Sequence, residues 1–78
     1  MTARMVNAIA LNVRSGPGLE YEPFSHLDRG QVVELTGFRD TFANWIQIYL
    51  PDGQKGWVGS SYLLSNTPFM DLAVWSEE

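Results

Sequence analysis

Leu11-Asn12-Val13-Arg14-Ser15-Gly16-Pro17-Gly18 decides the fold of this chain. Leu11 and Val13 alternate with Asn12 and Arg14, so the stretch reads as a short strand with one apolar and one polar face. Ser-Gly-Pro-Gly then stops it. Pro17 has no N–H to give a sheet ladder, and the flanking glycines accept backbone angles closed to other residues. A strand that ends this abruptly hands the chain to a loop, and the residues beyond Gly18 read as further short strands and turns.

Working outward, Met5 to Val13 holds Ile9, Leu11 and Val13 at period two on one face. Asn7-Ala8 can bend this run into two pieces, and a single continuous strand fits equally well. Residues 1–5 read as a frayed lead-in. Residues 16–26 carry two prolines and two glycines in mixed polarity and read as a long loop, the kind of segment that carries function on a small scaffold. Phe24 and Leu27 are expected to tuck back into the core. Asp28-Arg29-Gly30 is a turn, with Gly30 free to take positive φ.

Residues 31–39 form the clearest strand, with Val33 and Leu35 opposite Glu34 and Thr36. Gly37 inside this run signals a bulge or a close backbone approach. Asp40 to Ala43 connects to Asn44–Leu50, where Ile46, Ile48 and Leu50 make an aliphatic face and Trp45, Gln47 and Tyr49 an amphipathic one. Pro51-Asp52-Gly53 is a hairpin turn returning into Gln54–Val58. Gly59–Leu63 reads as one tight helical turn with serine available as its cap, and Leu63-Leu64 as the start of a last strand. In the tail, Thr67-Pro68 can open a helix, while Met70, Leu72 and Val74 also alternate like a strand. Phe69, Met70, Leu72, Val74 and Trp75 are too apolar for a freely solvated segment, and should pack on the domain or on a second copy.

At 78 residues the chain is one domain. It has no cysteine and a single histidine, which excludes a disulfide and argues against structural zinc. The core must therefore come from packed side chains alone, and a domain of this size has a stability of only about 5 kcal/mol. The net charge of −4, with its basic residues scattered, argues against nucleic-acid binding. No apolar run reaches the length of a membrane span, and the first residues lack a signal-peptide core. The chain is then cytoplasmic, or a piece of a longer exported protein belonging to the envelope or exterior.

Five or six short strands, glycine- and proline-rich turns and no helix in the first 58 residues describe a small all-β barrel or sandwich. The motifs, in order and spacing, resemble the bacterial Src-homology-3-like family. They are Leu11–Gly18, Leu27–Gly30 before Val33 and Leu35, Asn44–Ile48, Asp52-Gly53, Gly56-Trp57-Val58 and Ser61-Tyr62-Leu63. The resemblance covers roughly residues 6 to 64. It implies a small SH3-like barrel of strands in two packed sheets, closed by a short helical turn at Ser60–Tyr62. It also implies a non-catalytic binding module of the kind appended to cell-wall hydrolases, recognising peptides or peptidoglycan. Asn44 stands where the family often has glycine, and the tail lies outside the pattern. The chain thus divides into a domain over 1–65 and an extension or linker over 66–78.

Catalytic groups do not converge in this sequence. His26 and its neighbour Ser25 would point to opposite sides of an extended segment. Glu20 and Glu22 read as a solvated loop face, and Asp40 and Asp52 lack the ligand density of a calcium loop. Gly16-Pro17-Gly18 lacks the lysine and helix of a phosphate loop. No cofactor or metal is expected. The aromatics are the better candidates for binding: Tyr21 in the long loop, Trp45 at a strand start, Trp57 after the hairpin and Tyr62 in the helical turn. Trp57 and Tyr62 fit core packing as well as they fit a groove. Glu22 or Asp40 at the rim could hold a cationic group of a ligand. The expected partner is a peptide or cell-wall fragment in an aromatic groove. The alternative is a structural, self-associating domain that forms a homodimer through residues 66–78.

Overall fold

The computed structural model describes residues 3–65 and 69–76. Within them lie eight strands: β1 (Ala3–Val6), β2 (Ala10–Arg14), β3 (Pro23–Asp28), β4 (Val32–Arg39), β5 (Trp45–Tyr49), β6 (Lys55–Gly59), β7 (Leu63–Leu64) and β8 (Ala73–Val74). Single 3₁₀ turns occupy Ser60–Tyr62 and Phe69–Asp71. None of the described helices is long and apolar enough to cross a membrane. The architecture is all-β, as the turn-rich sequence requires. The short β1, β7 and β8 raise the number of strands above the five or six expected.

The strands form one hydrogen-bonded sheet, in the order β3-β2-β6-β5-β4-β1-β7, where two packed sheets were implied. Its pairings are antiparallel except that of β8, which lies parallel to β4. Leu27 on β3 and Leu63 on β7 stand at opposite ends of this order, yet both are buried in one core with Val6, Leu11, Leu35 and Ile48. The sheet must curl on itself for its two ends to share a core. That is the small-barrel solution for a chain that has one apolar face per strand.

Several expectations need correction. Within the expected lead-in over 1–5, residues 3–5 are not frayed: with Val6 they form β1, which pairs with β4 and with β7, and Val6 is 1% exposed. The chain then breaks at Asn7–Ile9. β1 belongs to one end of the sheet and β2 to the other, so the linker between them cannot continue either ladder. Ile9 falls in that linker and is 77% exposed rather than part of the Leu11–Val13 face. Phe24 is also 43% exposed, at the register shift that breaks the pairing of β3 with β2. The long loop ends at Glu22, where Pro23 opens β3. The first 3₁₀ turn is preceded by Gly59 and has no side-chain cap.

Two glycines fall where the backbone needs them. Gly30 takes φ 89° in the β3–β4 turn, and Gly37 takes φ 109° in β4. At Gly37 the register with β5 slips: Leu35 opposes Ile48, but Arg39 opposes Ile46, so β4 carries extra residues there. In the hairpin, Gly53 N–H donates to Leu50 O and Leu50 N–H to Gln54 O, which closes the turn around Pro51 and Asp52.

The tail packs on its own domain. Phe69 and Leu72 rest against the core, and the Trp75 N–H donates to Arg39 O at 2.8 Å. Trp75 meets Trp57 edge to face, with ring centroids 5.5 Å apart at 70°. A helix opened by Thr67-Pro68 lies outside the described residues.

Candidate functional site

The polar face of β2 builds the floor of a surface groove. Ala10, Asn12 and Arg14 alternate with the buried Leu11 and Val13, so all three point away from the core, and all three line the groove. Ala8 from the preceding linker and Leu19 from the long loop extend it. Trp45, Gly59 and Tyr62 complete it, enclosing a volume of about 280 Å³.

Backbone hydrogen bonds position the two aromatic rings. The loop before Trp45 is closed by Asp40, whose Oδ1 accepts the Trp45 N–H at 2.9 Å and whose own N–H donates to Trp45 O at 3.0 Å. Trp45 pairs with Gly59 across β5 and β6, and the next residue, Ser60, donates its N–H to Asn44 O at 2.9 Å. The 3₁₀ turn carrying Tyr62 is thus fastened to the loop that carries Trp45. Its far end is tied to the β1–β2 linker, where Asn7 N–H donates to Tyr62 O at 2.8 Å. The Tyr62 ring lies over Gly59, so a Cβ there would stand 3.0 Å from Cδ2. Gly59 is itself in the groove lining, so a side chain there would press on the Tyr62 ring.

Among the described residues Arg14 is the one charged residue in the groove lining. A register shift between Val13 and Arg14 in the pairing with β3 places it beside the 15–22 loop. Its Nη1 donates to Tyr21 O at 3.0 Å and reaches Leu19 O at 3.4 Å.

The groove therefore brings together Trp45 and Tyr62 from the residues singled out in the sequence. Tyr21 is half-buried in the long loop, its ring packed over Gly16 where a Cβ would collide with it. Glu22 is exposed, and its carbonyl accepts the Ser15 N–H. Asp40 spends one carboxylate oxygen on the Trp45 backbone. Trp57 is 2% exposed and packs on Trp75. None of these four is in the groove lining. Residue type alone did not single out Asn12, Arg14 and Leu19. The signal for the first two was present in the strand alternation, which placed both on the outward face of β2. Among the described residues no group of three or more histidine or acidic side chains is arranged to hold a metal ion.

The comparisons agree with this architecture. The family model described as bacterial SH3 domain matches residues 9–64, which runs from the β1–β2 linker through β7. A curated protein of Bacillus subtilis (strain 168), named "Putative N-acetylmuramoyl-L-alanine amidase YrvJ", is 40% identical over 50 residues. That match takes in 64% of this chain and 9% of the length of the amidase. No solved structure matches the chain significantly. The family match covers well over half of the sequence and each strand that lines the groove: the chain belongs to the bacterial SH3 domain family.

Proposed function

We propose that this domain is a non-catalytic binding module that holds a peptide or peptidoglycan fragment in the groove between β2, Trp45 and Tyr62. The observation that carries the reading is the pair of rings fixed over an open floor. Trp45 and Tyr62 are fastened by backbone hydrogen bonds, and both line the groove with the outward face of β2. Rigid aromatic rings over a shallow channel suit an extended chain, which they grip by stacking and by hydrogen bonds from the indole N–H and phenol O–H. The family supports a binding role, and the relative's name points to cell-wall material containing N-acetylmuramoyl-L-alanine.

Titration of the domain with soluble peptidoglycan fragments, followed by amide NMR, tests this. Shifts clustered at Asn12, Arg14, Trp45, Gly59 and Tyr62 are expected. Shifts confined to other faces of the barrel, or none at millimolar fragment, would overturn it.

A further inference from the structure

We infer that the groove selects ligands carrying a free carboxylate, and that Arg14 is the residue that reads it. The inference rests on the groove being the binding site. It specifies the chemistry of what binds there, an acidic peptide end rather than a cationic group.

Three observations carry it. First, the charge in the groove has one sign. Among the described residues Arg14 is in the lining and no acidic side chain is, although the chain as a whole has a net charge of −4. The acids of the adjoining loop are placed elsewhere: the Glu20 carboxylate lies against Gly18, and Glu22 lies outside the lining. Asp40, the acid nearest in sequence to Trp45, accepts a backbone N–H of that residue.

Second, Arg14 is anchored on one side only. Nη1 is held by the carbonyls of Tyr21 and Leu19, while Nε and Nη2 donate to no acceptor among the described residues. A guanidinium fixed through one nitrogen and open through the others is a planar fork already oriented. Such a fork matches the two oxygens of a carboxylate. Fixing it in advance reduces the ordering cost of binding.

Third, the rest of the groove suits a peptide more than a bare anion. Ala8, Ala10 and Leu19 give short apolar contacts, and Trp45 and Tyr62 give ring faces. Asn12 sits on the same face of β2 as Arg14 and offers both a donor and an acceptor to a backbone amide. A small inorganic anion would use only Arg14.

The test compares soluble peptidoglycan fragments with the same fragments after their carboxyl groups are converted to amides. It is run on the parent domain and on Arg14→Gln and Arg14→Lys. The acid form should bind the parent about tenfold tighter than the amide form. That preference runs against the overall negative charge of the chain, so nonspecific attraction cannot produce it. Arg14→Gln should abolish the preference and leave weak binding of both forms. Arg14→Lys keeps the charge but not the fork and should retain only part of it. Unchanged amide positions outside residues 14–22 confirm that the variants fold. If acid and amide forms bind the parent equally and shift Trp45 and Tyr62 alike, the carboxylate inference fails while the groove stands. If the acid form is preferred equally by the parent and Arg14→Gln, another residue reads it and the assignment to Arg14 is overturned. If neither form shifts the groove residues, the groove reading fails and this inference falls with it.

Discussion

The Nε of Arg39 donates to the carbonyl oxygen of Leu72 at 3.1 Å, joining the end of the longest strand to the tail. Arg39 is 8% exposed, and three of its four remaining N–H groups are also spent on backbone: Nη1 bonds Asp40 O at 2.9 Å and Thr41 O at 2.8 Å, and Nη2 reaches Met70 O at 3.4 Å. A buried guanidinium is tolerated only when its donors are met. Here carbonyls from the 40–44 loop and from the tail meet them together. The tail covers the flank of β4 at Phe38–Arg39, which β1 leaves open because it pairs only with Val32–Glu34.

Arg39→Met should therefore loosen two segments at once. The methionine fills part of the space but leaves the carbonyls of Leu72, Asp40 and Thr41 without their donor. A loss of about 2 kcal/mol or more is expected, since hydrogen bonds to a charged group are worth about 1.5–3 kcal/mol each. Denaturant unfolding reads it, and amide exchange should speed up in residues 40–44 and 69–76 together. Faster exchange in the tail alone would show that Arg39 does not couple the two.

Removal of residues 66–78 is expected to destabilise the domain rather than change its mass in solution. Phe69 and Leu72 would no longer cover the core, Trp57 would lose the edge of Trp75, and Arg39 would lose its acceptors in the tail. A concentration-dependent mass for the intact chain that disappears on truncation would instead favour the self-associating role for this segment. Light scattering across a concentration series, paired with thermal unfolding of both forms, separates the outcomes.

Asp40 separates a turn residue from a ligand-binding acid. Its Oδ1 accepts the Trp45 N–H, and an asparagine at this position keeps that oxygen while removing the charge. Asp40→Asn should preserve both stability and fragment affinity. Asp40→Ala should cost about 1 kcal/mol, the typical net worth of one hydrogen bond. If Asp40→Asn abolishes fragment binding while the melting curve is unchanged, Asp40 faces the ligand directly.

Much of this fold could be read from local pattern, and the parts that could not share one cause. The faces of β2 and β4 and the aliphatic face of β5 come from alternation over a few residues, although Gln47 on the other face of β5 is buried as well, and the hairpin comes from Pro51-Asp52-Gly53. Gly37 pointed to a bulge or a close backbone approach, and the register with β5 shows the bulge. By contrast, Ala3–Val6 looks like a lead-in until its partners β4 and β7 are known, and both lie far along the chain. The burial of Arg39 depends on the tail in the same way. For the groove, the sequence shows which residue types can bind. Which of them share a surface depends on β2, the long loop and the 3₁₀ turn meeting in space. That is why Trp45 and Tyr62 came together there, while Trp57, equally suitable in type, is turned inward.

Gly56 is set by space. It is buried opposite β2, and a Cβ there would collide with Cγ1 of Val13, itself 0% exposed, and stand 3.1 Å from Cζ of Phe24. Val13 has nowhere to move within the core. Gly56→Ala should cost about 1–3 kcal/mol by overpacking. Val13→Ala alone should also destabilise, by removing buried methyl groups. Combined with Gly56→Ala it should recover part of the loss, because the two changes share one space. Strict additivity of the two losses in denaturant unfolding would mean that β2 and β6 separate rather than clash.

The two tryptophans of the barrel should divide cleanly between stability and binding. Trp57 is 2% exposed and wedged against Trp75, so Trp57→Phe should lower the unfolding midpoint while leaving fragment affinity near that of the parent. Trp45 is half-buried at the groove, and its backbone is held by Asp40 and Gly59 whatever its side chain. Trp45→Ala should weaken fragment binding by roughly 1–2 kcal/mol, the scale of an aromatic anchor, for a smaller loss of stability. Tyr62→Phe refines the result: it keeps the ring over Gly59 and removes only the hydroxyl, so retained affinity assigns the residue to stacking and reduced affinity to a hydrogen bond. Fragment titrations and denaturant curves on the same three variants make the comparison. If Trp57→Phe weakens binding as much as Trp45→Ala does, with its fold intact, the ligand lies on another face of the barrel.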